Sequence, residues 1–236
     1  MEQIGRLKRL RRYPVKSMMG EDLKLAHISQ SGVEGDRVFA YVDNKSTNEK
    51  FPWMTARQKH EMILFKPRFL DGSSYSRVEV TTPEGEKFTL PDSRFEEYLE
   101  KRFGYDLTLK HSEAGIKDMR PLSLLGLHTI RSLQEECRTD LRIERFRANF
   151  YVDWNNSKPF FEDELVGRTL QIGKDVIMKI DKKNSRCVIP TLDPRSAEQF
   201  PEILENIQRN HQGCFGVYAV PEKGGIVELD DPIYLL

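Results

Sequence analysis

Apolar positions in this chain recur in short runs, mostly with the two-residue period of a strand. In the opening run Leu7, Leu10 and Tyr13 stand between Arg6, Lys8, Arg9, Arg11 and Arg12, which reads as an edge strand with a charged solvent face. Strands are predicted over 22–28, 38–42 and 62–65, and a hairpin joins 77–82 to 87–90 around Pro83-Glu84-Gly85-Glu86. Ser93 and Glu96 predict a capping box for a helix whose face carries Phe95, Tyr98, Leu99 and Phe103 and which Gly104 stops. After a strand over 106–110, residues 114–121 read as a long loop or linker and the best domain boundary. A helix is predicted over 124–137, then a strand over 141–153 broken at Arg147-Ala148-Asn149. A hairpin follows around Gly173-Lys174, a helix through Ile203, Leu204 and Ile207, and strands over 214–220 and 226–229. Strands outnumber helices about three to one on this reading. The expectation is an α+β fold, mostly antiparallel β and barrel-like, with a few covering helices.

Composition narrows the class. The 236 residues suffice for one large domain or two small ones. Lysine plus arginine equals aspartate plus glutamate at 37 each, so no global charge draws the chain to nucleic acid or to an anionic membrane. No apolar run approaches membrane-spanning length and no signal-peptide pattern opens the chain. Three cysteines, Cys137, Cys187 and Cys214, without a Cys-x-x-Cys pair, fit a reducing, cytoplasmic setting.

The candidate chemistry lies at breaks between strands. Cys187 sits between a strand and a helix in Lys183-Asn-Ser-Arg-Cys-Val-Ile-Pro-Thr-Leu-Asp-Pro194, where Pro190 and Pro194 forbid regular structure. A cation beside it, Arg186, favours a thiolate, the form that attacks or binds soft metals. A buried structural cysteine is the commoner reading of a lone cysteine, and position alone does not overturn it. Elsewhere Lys16 and Ser17 follow Pro14, Arg37 follows a glycine turn, Arg57 follows Thr55, Arg147 and Asn149 interrupt a strand, and Ser185 and Arg186 precede the cysteine. Each alone reads as a charged or polar group facing water; brought together they would bind a phosphorylated anion through charge-assisted hydrogen bonds. Dinucleotide fingerprints, phosphate loops and His-Glu-x-x-His are absent, and the five histidines are scattered.

Seven stretches in order carry a resemblance: Tyr13-Pro14-Val15-Lys16-Ser17, Gly35-Asp36-Arg37, Thr55-Ala56-Arg57-Gln58, Arg145-Phe146-Arg147-Ala148-Asn149, Ser185-Arg186-Cys187, Leu192-Asp193-Pro194 and the ending Asp231-Pro232-Ile233-Tyr234-Leu235-Leu236. Together they resemble MOSC-domain proteins with an N-terminal MOSC-associated β-barrel domain, as in the mitochondrial amidoxime-reducing component. The resemblance implies an N-terminal barrel-like domain over 1–115 with one helix and a MOSC domain over 116–236. It implies a molybdenum cofactor, molybdopterin-bound Mo, with Cys187 as catalytic residue and metal ligand and no requirement for pyridoxal phosphate. Lys16, Ser17, Arg37, Arg57, Arg147, Asn149, Ser185 and Arg186 would bind the cofactor: the cations neutralise its phosphate, Asn149 and Ser185 hydrogen-bond the pterin edge. Two features depart from the family pattern: Ala148 stands where proline is common, and Met18-Met19 replaces a more polar pair. Lys117-Asp118-Met119-Arg120-Pro121 matches poorly, so no catalytic role is carried over there.

Three functions follow. The first is a molybdenum oxidoreductase that reduces small N-hydroxylated substrates to amines. Without a redox domain of its own, it needs a separate electron-transfer partner, a flavin or an iron–sulfur or haem protein. The second is a carrier in which Cys187 bears a persulfide or hands on the cofactor. The third is an interaction protein that keeps the fold alone.

Overall fold

The computed structural model describes residues 1–70 and 74–236. In chain order the strands are β1 (Glu2–Arg12), β2 (Glu21–Leu23), β3 (Leu25–Ser29), β4 (Gly32–Val33), β5 (Phe39–Asp43), β6 (Lys66–Phe69), β7 (Val78–Thr81), β8 (Lys87–Leu90), β9 (Leu107–His111), β10 (Leu122–Gly126), β11 (Phe150–Trp154), β12 (Thr169–Ile172), β13 (Val176–Ser185), β14 (Cys214–Lys223), β15 (Gly225–Glu228) and β16 (Pro232–Leu235). The helices are α1 (Ser93–Phe103), α2 (Leu127–Cys137), α3 (Phe161–Glu164) and α4 (Pro201–His211).

Seven strands close into a barrel in the order β11-β10-β14-β13-β12-β16-β1, with β1 pairing back onto β11 and β2 appended to β1. Only β10 and β11 run parallel within it. Closure removes the unpaired edges that an open sheet would expose. Inward residues such as Leu7, Leu10, Phe150, Leu170, Met178 and Val217 fill it. At Gly5 the strands approach so closely that a Cβ would lie 2.8 Å from the Asp153 carbonyl oxygen. The barrel is therefore built from both ends of the chain.

A second core lies under β5–β9 and the β6-β7-β8 sheet, covered by α1. Phe65, Phe88, Phe95 and Tyr98 pack there with ring centroids 4.9–6.2 Å apart. Val15, Met18, Leu192 and Ala197 join this core, so segments flanking Lys16 and Cys187 share one apolar floor. A third cluster packs α2 and α4 on the outside of the barrel through Ile130, Leu133, Ile203, Ile207, Tyr151 and Phe215. The buried Glu162 carboxylate accepts from Gly126 N at 2.9 Å and Thr129 Oγ1 at 3.0 Å, satisfying the start of α2 from a distant segment.

The α+β, mostly antiparallel, barrel-like expectation holds, and several local readings do not. β1 is not an edge strand: it is flanked by β16, β11 and β2, and Arg11 is buried. Residues 60–64 form a 3-10 turn instead of a strand, with Met62 and Ile63 buried. Leu122–Gly126 is buried at every position as a central strand, so the helix starts only at Leu127. Ile143–Phe146 is another 3-10 turn and the strand begins at Phe150. Helix α1 is capped by Asp92, whose side chain accepts from Arg94 N, while Glu96 turns away to accept from Leu109 N. The long-loop reading of residues 114–121 holds, since they form no helix or strand, and Ile116 N donates to the Arg37 carbonyl at 2.7 Å.

Candidate functional site

Three of the breaks seen in sequence are turns with a left-handed residue. After Pro14, Lys16 N donates to the Phe39 carbonyl at 2.8 Å, and Ser17 takes a left-handed backbone at φ 69°. Buried Asp36 accepts from Tyr13 N at 2.9 Å and leaves Arg37 left-handed at φ 56°. The 3-10 turn Ile143–Phe146 ends in Arg147 at φ 55°. Three non-glycine residues of one site thus hold a conformation costing roughly 1 kcal/mol or more each, which persists only where the surroundings fix it.

These turns converge on a cavity of about 360 Å³. Lys16, Ser17, Arg37 and Arg57 line it from the N-terminal half, and Arg147, Asn149, Ser185, Arg186 and Cys187 from the C-terminal half. All nine residues singled out in the sequence therefore share one cavity.

Its electrostatics are uneven. Arg37 pairs with Asp36 and donates to the Arg147 carbonyl at 3.2 Å; burial opposes its charge, but Asp36, Tyr13 and Asp118 together outweigh burial and hold its pKa above the ordinary value. Arg147 forms no ion pair among the described residues: Nη1 donates to the Met18 carbonyl at 2.6 Å, and Nη2 is buried without a partner. Burial, then the charge of Arg37, pushes its pKa down to about 10. The Arg37 and Arg147 guanidinium carbons lie 4.5 and 4.4 Å from the Tyr13 ring centroid. Arg186 Nη2 donates to the Phe146 carbonyl at 2.6 Å, and burial lowers its pKa. Asn149 faces the protein more than the sequence suggested. Its Oδ1 accepts from Ser123 N and Oγ at 3.3 and 3.2 Å, and its Nδ2 donates to the Arg11 carbonyl at 3.3 Å.

Arg57, from a segment far away in sequence, lines the cavity together with Cys187, while the guanidinium of Arg186, the sequence neighbour, donates to the Phe146 carbonyl. Arg57 and Lys16 share a carboxylate that sequence reasoning passed over, Asp118. Lys16 also donates to the Ile116 carbonyl at 3.0 Å, and burial brings its pKa below the ordinary lysine value despite Asp118. Burial opposes the Asp118 charge too, but Lys16 and Arg57 outweigh it and hold the carboxyl below its usual 3.8. Proximity to three cations in the fold, invisible in the linear chain, is what marks Asp118.

A carboxyl with a lowered folded-state pKa stabilises the fold above its unfolded value, and that contribution is lost as pH falls through the folded value. Asp118→Asn should therefore lower the thermal midpoint at neutral pH and flatten the acid limb below pH 3.8, measured by thermal melts from pH 2 to 7. An acid limb identical to that of the wild type would remove Asp118 from the linkage.

Among the described residues no group of three His, Cys, Asp or Glu side chains could hold a metal by itself. The lining fits an anionic group that brings further ligands: Cys187 supplies a soft sulfur, and Arg147 keeps a buried donor without a partner.

The MOSC domain model matches residues 111–234, and the MOSC N-terminal beta barrel domain model matches residues 4–110. The chain is 33% identical over 117 residues to the molybdenum cofactor sulfurase of Drosophila willistoni, covering 48% of this chain and 14% of that protein. It is 36% identical over 97 residues to the sulfurase of Drosophila mojavensis, covering 40% and 12%. The match thus spans about one seventh of these relatives. The YUAD protein of Bacillus subtilis superposes with a TM-score of 0.53 at 14% identity over 97% of this chain and 93% of that one, a likeness of fold. No helix among the described residues is long and apolar enough to cross a membrane. With more than half its residues in the matched domain, a closed seven-stranded barrel and a cationic cavity at a cysteine loop, the chain belongs to the MOSC-domain family and carries a MOSC N-terminal β-barrel domain.

Proposed function

We propose that this protein binds molybdopterin-held molybdenum in the cavity and reduces N-hydroxylated compounds (amidoximes, hydroxylamines, N-hydroxylated bases) to their dehydroxylated products, with Cys187 as the metal's protein ligand. One observation carries the reading. A thiol, Cys187, and a buried arginine, Arg147, that has no ion pair among the described residues line the same cavity.

Arg147 and Arg37 would neutralise the cofactor's phosphate, and Ser17, Ser185 and Arg186 would hold its polar edge. Asn149, engaged with Ser123 and Arg11, fixes β10 against β1 so that Arg147 keeps its place. When bound, the cofactor supplies two-electron chemistry that accepts oxygen. Reducing N–OH to N–H consumes two electrons and two protons and releases water. Lys16, with its lowered pKa, can hold one such proton on Nζ at the cavity wall, where ionised Asp118 orients it. The electrons come from a separate partner, a flavin, iron–sulfur or haem protein. Anaerobic incubation of cofactor-loaded protein with a model amidoxime and a chemical reductant tests this: amidine formation supports the reading, and its absence from molybdenum-replete protein contradicts it.

The likeness to molybdenum cofactor sulfurases favours a second reading, in which Cys187 carries a persulfide or passes the cofactor on. Mass spectrometry finding an added sulfur on Cys187, without bound pterin, would select it.

A further inference from the structure

Arg145 belongs to the Arg-Phe-Arg stretch, yet it does not line the cavity and the proposed function gives it no task. It is a buried cation, with a relative exposure of 3%. Nη1 donates to the carbonyls of Pro190 at 3.0 Å and Thr191 at 3.2 Å, and Nη2 reaches Asp193 Oδ2 at 3.4 Å. Every one of these acceptors lies in the loop that follows Cys187. The loop answers in kind: Arg186, next to Cys187, donates to the carbonyl of Phe146, next to Arg145. Asp193 is itself fixed, its Oδ1 accepting from Arg195 N at 2.8 Å and Ser196 N at 3.3 Å.

We propose that Arg145 is a positioning residue that, with Arg186, clamps the cysteine loop to the 143–147 turn in both directions, setting the separation of the Cys187 thiol from the Arg147 guanidinium. Two short irregular segments, each able to move alone, are joined by a planar fork whose donors match two consecutive carbonyls and a carboxylate. The inference concerns the protein without cofactor, so it can fail or hold independently of the proposed reaction.

The test uses the full chain without cofactor and compares maleimide labelling rates at its three cysteines, resolved by peptide mass spectrometry. All three thiols are free and partly exposed; Cys214, in the β13–β14 ladder, is the internal reference, Cys187 reports its loop, and the thermal midpoint reports any global loosening. In Arg145→Gln, labelling of Cys187 should accelerate by about tenfold or more with the Cys214 rate unchanged, because charge-assisted contacts to the loop are lost. Arg145→Lys, which keeps the charge without the fork, should fall between wild type and Arg145→Gln. Should Arg145→Gln not fold, Asp193→Asn loosens the same clamp from the other side and should accelerate Cys187 alone. An unchanged Cys187 rate, or a rise shared by Cys214, overturns the proposal.

Discussion

Cys187→Ser should reduce turnover of a model amidoxime to background in cofactor-loaded protein while shifting the thermal midpoint by no more than about 2 °C. A hydroxyl is a harder and far less acidic donor than a thiol, so it makes a poor ligand for a soft metal centre. The fold gives little reason for a stability change. Cys187 is only partly buried, in a loop held by main-chain bonds such as Thr191 N to the Val188 carbonyl at 2.9 Å and Leu192 N to the Ile189 carbonyl at 3.0 Å. Exposure does not separate it from its two sisters, since Cys137 and Cys214 are partly buried as well. Position does. Cys187 lines the cavity, whereas Cys137 packs beside the α2–α4 cluster and Cys214 pairs with Ser185 in the β13–β14 ladder. Serine at 137 or 214 should therefore keep turnover and lower the midpoint modestly. Full turnover by Cys187→Ser would remove the cysteine from the metal.

The second large effect belongs to Arg147→Ala. Losing one charge-assisted contact costs about 1.5–3 kcal/mol, so retention of molybdenum and pterin through dialysis should weaken roughly tenfold or more. Arg147 is chosen over Arg37 because Asp36 already balances Arg37, while among the described residues Arg147 has no carboxylate partner and keeps a buried donor without an acceptor. The change also removes the donor to the Met18 carbonyl, so some loss of thermal stability accompanies it. Retention equal to that of the wild type would take Arg147 out of the cofactor site.

What sequence could show here follows the range of the interactions involved. The hairpin of β7 and β8, the apolar face of α1 and the Gly104 stop at φ 74° arise from neighbours a few residues apart, and each was legible as periodicity or turn chemistry. The nine polar residues at strand breaks were legible as a set, because a break holding a cation or hydroxyl stands out against alternating strands. Two kinds of feature were hidden. One is pairing between chain ends: nothing near Leu7 announces Val152, its partner in the β1–β11 ladder that closes the barrel. The other is side-chain geometry in the site. Arg186 is next to Cys187 in sequence, but its guanidinium turns to Phe146, while Arg57, 130 positions away, shares the cavity with the sulfur. Asp118 and Arg145 carried no local signal because their partners lie about 45 to 100 residues away.

The most direct measurement is elemental analysis, with pterin fluorescence, of protein purified from a host that makes the molybdenum cofactor. The account predicts stoichiometric molybdenum and pterin in the wild type, and a marked loss of both in Arg147→Ala. Protein that is folded yet free of molybdenum and pterin from such a host would contradict it.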